Sequence, residues 1–198
     1  MWTARIAMLL MLFLTAGGWF DALLPKRKKA AVLLLLPGLF ALTYAPTIRE
    51  PIVRLCFAPC ALALLCALLC PTEHPFGALT AAALGGMIGW KLCDALPLFP
   101  EPGILIAVPT LVLAALYCRD RSAKALALAA APFVMLLLRA IGDYSLFQSA
   151  VLELGDADAL AAQATGLFAL LLSDAAFLLF KSRGDRAKVR PLPADLRG

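Results

Sequence analysis

The chain has 198 residues, of which 63% are hydrophobic and only 16% charged, and it carries a net charge of +5. A soluble domain of this length is roughly half apolar and about one quarter charged, so the composition excludes an ordinary soluble enzyme or nucleic-acid-binding module. It describes an all-α, polytopic membrane helix bundle in which the basic excess faces lipid head groups.

Seven apolar runs follow one another, separated by short polar or proline-containing breaks. The first covers residues 6–24 and leads straight into Lys26-Arg27-Lys28-Lys29. A basic cluster after the apolar run, with a second run following at once, favours an uncleaved first span over a signal peptide. The next runs are 30–46, 52–70 and 76–96, carrying Pro37 and Pro59 in the first two. Pro97, Pro100 and Pro102 make the connection after the fourth run stiff and non-helical. Runs 103–118 and 125–141 contain Pro109 and Pro132, and the acidic connection 142–159 precedes the last run, 160–180. Residues 1–180 thus form one seven-span bundle, and 181–198 a basic cytoplasmic tail.

Charge sets the orientation. With seven spans and the N-terminus outside, thirteen Lys and Arg fall in cytoplasmic segments: 26–29, 119–124 and the tail. Only Arg5, Arg49 and Arg54 fall outside. This is the positive-inside pattern of a multi-pass protein of the cell membrane.

The fourth run is the most informative. As a helix it places Ala78, Ala82, Gly85 and Gly89 on one ridge of small side chains suited to close helix packing. Lys91 and Asp94 fall on the opposite side, so neither face suits lipid and other helices should surround this span. Their i, i+3 spacing allows an ion pair, as does the i, i+4 spacing of Arg139 and Asp143. Both pairs belong to the outer ends of their spans, where the four charges can form one network. Gln163 and Asp174 share a face of the last span, and a carboxylate there must be protonated, paired across helices or wet.

Other residue types point away from catalysis. A single histidine, His74, rules out multi-histidine metal centres. There is no GxSxG, P-loop or dinucleotide glycine motif. Cys56, Cys60, Cys66 and Cys70 share one side of a helix and read as packing residues, without metal-ligand spacing. The expectation is no cofactor and no metal.

Trp19 before Asp21, the 25–29 break and the immediate second span resemble YphA-type small bacterial membrane proteins, as do chain size and span count. The resemblance implies a multi-pass protein of spore-forming bacteria and carries no site. The residues themselves favour a non-catalytic scaffold or partner subunit locked by intramembrane ion pairs, with lipid, a membrane protein or a second copy as partner. The alternative is a small transporter or channel-like protein using Lys91, Asp94, Arg139 and Asp174. A membrane enzyme ranks third, since no nucleophile–base pair is visible.

Overall fold

A computed structural model of the chain describes residues 2–21, 23–45, 48–49, 53–147 and 152–188. Seven helices occupy these residues: α1 (Trp2–Ala16), α2 (Lys26–Leu42), α3 (Phe57–Leu69), α4 (Pro75–Ala95), α5 (Pro102–Tyr117), α6 (Arg121–Phe147) and α7 (Ala157–Lys188). Each coincides with one apolar run. Three of them, α4, α6 and α7, contain segments of 21, 24 and 25 residues long and apolar enough to cross a membrane. The others are shorter. At 1.5 Å per residue the 15-residue α1 covers only about 22 Å, against a hydrocarbon core of ~30 Å.

The helices run up and down, so the connections collect at two ends. Leu23, Lys28, Cys70 and Arg121 line one cavity at the first end, where Arg121 also bonds Asp174. At the second end Thr3 bonds Glu101, Arg5 bonds Thr43, and Gly155 packs on Pro59. The first end holds the Lys26–Lys29 cluster, Arg119, Arg121 and Lys124, and is the basic end.

Several boundaries differ from the sequence reading. Lys26–Lys29 form the first turn of α2 and do not precede it, because Pro25 presets the chain and Lys29 N–H already bonds the Pro25 carbonyl at 2.9 Å. Pro59 makes no kink: it is the third residue of α3, where a backbone N–H has no partner to lose. The expected tail continues α7 to Lys188, and its remainder, with Arg190 and Arg197, lies outside the described residues. Three short strands also form at the second end. Ile48–Arg49 (β1) pairs antiparallel with Val53–Leu55 (β2), which pairs parallel with Leu152–Leu154 (β3). β3 is followed by Gly155, whose φ of +85° and tight seat against the Pro59 ring, 2.4 Å from a built Cβ, admit only glycine.

The α4 ridge packs as a close contact. Gly85 sits so near α5 that a Cβ would lie 2.3 Å from Thr110 Oγ1, and at Gly89 it would meet Ile106 at 3.1 Å. Ala78 and Ala82 are fully buried on the same side. Gly86, outside the expected ridge, seats α4 on α6, where a Cβ would stand 2.6 Å from the Ala131 carbonyl. The opposite face contradicts the expectation of a surrounded helix. Leu79, Thr80, Met87, Lys91 and Asp94 are all exposed there, so α4 lies at the rim with α5 and α6 as its neighbours. The reason is compositional: apolar Leu79, Ala83 and Met87 occupy that face and tolerate lipid, and the two charges sit only at its end.

Adding one methyl at Gly86 forces two backbones apart. Gly86→Ala is expected to cost roughly 1–3 kcal/mol, read as a lower thermal midpoint of the detergent-purified protein by circular dichroism. Ala83→Leu on the exposed face should stay within about 0.5 kcal/mol of the parent.

Candidate functional site

Several polar side chains of the bundle form bonds between helices. At the basic end the Arg121 guanidinium, at the start of α6, donates through Nε to Asp174 Oδ2 on α7. Its Nη1 donates to the Leu23 carbonyl at 3.1 Å, so one side chain ties α6, α7 and the α1–α2 connection. Beside it Lys29 Nζ meets Asp21 Oδ1 at 2.5 Å. Asp174 is three-quarters buried, with 23% of its side chain exposed, and Arg121 is 41% exposed, so the pair sits at the boundary of the bundle. The partner for Asp174 therefore comes from a distant part of the chain, which no spacing within α7 could reveal.

In the middle, Gln163 is fully buried and donates through Nε2 to the Ala129 carbonyl at 2.8 Å, linking α7 to α6. Its Oε1 has no partner. An amide among apolar helices loses heavily if both its ends are unsatisfied, so this one bond orients the side chain.

At the other end Arg5 donates to Thr43 through Nε at 3.0 Å and to the Thr43 carbonyl at 3.2 Å. Its guanidinium lies 3.9 Å from the Tyr44 ring centre, a cation–π contact that closes α1 on α2. Thr3 Oγ1 donates to Glu101 Oε2 at 2.7 Å, joining α1 to the start of α5.

The four-charge network expected at this end is not formed. Lys91, Asp94, Arg139 and Asp143 are exposed, and neither Lys91–Asp94 nor Arg139–Asp143 is an ion pair. Lys91 instead lays its ammonium 4.0 Å over the Trp90 ring, whose far edge faces Gly142 on α6. Solvated charges gain little from pairing and lose side-chain freedom by it, which is why helical spacing alone did not produce the bonds. Two of the four share one neighbourhood: the charges of Asp94 and Arg139 both reach the Cys93 thiol, as do those of Asp156 and Asp158 at the start of α7. Asp174 is at the opposite end, so the residues of the expected path do not line one route.

Helix starts supply the remaining polar geometry. Asp120 caps α6, its Oδ2 accepting from Ala123 N–H at 3.0 Å, and Asp156 caps α7 through Ala159 N–H at 2.6 Å. Burial pushes the Asp120 carboxyl up, but the Ala123 hydrogen bond, the Thr72 hydroxyl and nearby His74 outweigh it and hold its pKa below the ordinary value. All six cysteines are free thiols, and Cys56 and Cys66 pack in the core with Ala58 and Leu62. Among the described residues no group of three or more His, Cys, Asp or Glu converges on a point that would hold a metal.

Three measurements follow from this geometry. In a double-mutant cycle, Arg121→Gln and Asp174→Asn should show a coupling of roughly 0.5–1 kcal/mol, a partly exposed pair contributing little more. Lys91→Ala and Asp94→Asn together should change stability by less than about 0.5 kcal/mol. Asp120 has a depressed pKa, so its contribution is present above the unfolded carboxylate value and is lost as pH falls through the folded one. Asp120→Ala should lower stability by about 1 kcal/mol at pH 7, and the difference from wild type should shrink in unfolding curves taken below about pH 4. No protein-family model, curated protein or solved structure matches this chain.

Proposed function

We propose that the chain is a seven-span protein of the cell membrane, N-terminus outside and C-terminus cytoplasmic, acting as a non-catalytic scaffold or partner subunit. Its size and span count resemble those of the YphA-like small membrane proteins. The seven helices alternate between two ends, and the first end gathers Lys26–Lys29, Arg119, Arg121 and Lys124. That segregation favours a cytoplasmic basic end. The four helices of 13–17 residues cross by tilting little and thinning the bilayer, or with their flanking turns included.

The observation that carries the scaffold reading is the position of Arg121. An ionisable pair near a membrane boundary is the usual place to look for a transport step. Here Arg121 bonds both Asp174 and the Leu23 carbonyl, and so holds three segments together. Gln163, Arg5 and Thr3 do the same at other levels. A partner in this reading is a membrane protein or a second copy.

Topology is tested by reporter fusions. A fluorescent protein fused after Glu73 or Asp120 should fluoresce, and alkaline phosphatase fused after Leu98 or Ala157 should be active. Fluorescence after Leu98 would sink the seven-span arrangement. Function is tested in liposomes: wild type should pass no proton or solute above empty vesicles. Asp174→Asn should change only the thermal midpoint. Flux that Asp174→Asn abolishes without loss of fold would replace the scaffold by a transporter.

A further inference from the structure

A cavity opens behind the Arg121 bonds at the basic end of the bundle. It has a volume of about 320 Å³, at the lower edge of the range for ligand pockets, and lies among α1, α2, α3, α6 and α7. Its inner part is apolar, walled by Met11, Leu36, Leu62 and Leu167. Its outer part reaches the basic end at Lys28, Arg121 and Ser122. From Leu36 to Lys28 along α2, and from Leu62 to Cys70 along α3, the walls run about 12 Å parallel to the helix axes. One end is therefore in the middle of the bundle and the other is at its basic surface.

Two features at the rim and one in the wall look for an anion and an acceptor. Among the described residues Lys28 makes no ion pair, while its neighbour Lys29 is taken by Asp21. Arg121 has five N–H donors, and its bonds to Asp174 and Leu23 occupy Nε and one of the Nη1 hydrogens, leaving donors free. Thr15, also in the wall, is 1% exposed, and its hydroxyl has no hydrogen-bond partner.

We propose that this cavity holds one acyl chain of an anionic phospholipid, with the phosphate at Lys28 and Arg121 and an ester carbonyl accepting from Thr15. The inner walls are apolar, which suits a ligand with a hydrocarbon chain behind its charged group and not a bare phosphate. The rim is basic, which selects an anionic head group over a zwitterionic one, since each Lys or Arg near the surface attracts anionic lipid. The proposal rests on the membrane reading above, because the lipid would come from the leaflet at the basic end.

The test uses the full chain, purified in detergent from nanodiscs of equimolar phosphatidylglycerol and phosphatidylcholine, with bound lipid counted by native mass spectrometry. Wild type should keep about one phosphatidylglycerol per chain, enriched roughly tenfold over phosphatidylcholine. Lys28→Glu should bring the ratio close to one without moving the thermal midpoint. Leu65→Trp and, independently, Val32→Phe fill the cavity from partly exposed wall positions; each should cut retained lipid severalfold. Retention in the bulk ratio by wild type overturns the site, as does full retention by both filled variants. Resistance to alkaline carbonate extraction is measured alongside. A chain that stays in the membrane yet shows no enrichment sinks the lipid site alone, and a chain that is extracted sinks the membrane reading itself.

Discussion

Gly85 and Gly86 bring the α4 backbone against Thr110 on one side and against the Ala131 carbonyl on the other, with no room for a methyl group at either. The rest of the bundle depends on that close approach. Lipid tails are as apolar as leucine, so helices in a bilayer gain little by hiding apolar surface from their solvent. What holds them is dispersion across short distances, and small residues make the distances short. The series continues beyond α4: Gly103 of α5 is seated on Ala161 of α7, and Gly166 of α7 on Leu128 of α6. α4, α5, α6 and α7 thus form a tightly packed half, and three of these four are the helices long and apolar enough to cross a membrane.

The first three helices are built differently. α1, α2 and α3 are short: α1 packs on α7, α3 on α6 and α7, and α2 on α1 and α3, through larger side chains such as Met8, Met11, Leu36 and Leu62. No ridge of glycines draws them in, and the cavity of about 320 Å³ lies among them. Their place is kept by polar ties at the ends: Arg5 on Thr43 and Tyr44 at one, Arg121 on the Leu23 carbonyl at the other. Such ties are individually weak when solvated. At the edge of an apolar bundle they set register, because each has one geometry in which its donors are satisfied.

Charge placement separates two kinds of ionisable residue that look alike in the sequence. Asp174 and Asp94 each fall on an apolar helix with a basic residue on the same chain to neutralise them. Asp174 is paired, because the up-and-down order returns the start of α6 to its level. Asp94 remains exposed, because α4 turns its charged face away from every other helix. The difference is a property of where each helix stands in the bundle, and it separates a bond that joins helices from a charge that is merely solvated.

Much of the architecture can be read from the chain alone. Apolar runs of helical length separated by proline and charge define seven helices, because each break removes a hydrogen bond or introduces a group that an apolar interior rejects. The small-residue ridge follows from 100° per residue, and so does its use in packing at Gly85 and Gly89. Spacing did not reveal Gly86 as the contact to α6, since which neighbour lies beyond a given face depends on the order of helices in three dimensions. It did not reveal the strands at residues 48–49, 53–55 and 152–154, which are two or three residues long and of which the last pairs only because distant segments meet. Helical spacing permitted Lys91 to pair with Asp94, and tertiary structure decided against it by leaving both in solvent. It also decided the partner of Asp174, 53 residues away on another helix, and the existence of the cavity, which needs segments from opposite halves of the chain. Local chemistry determines the helices and the sign of each end; the neighbours across the bundle determine which polar groups are bonded.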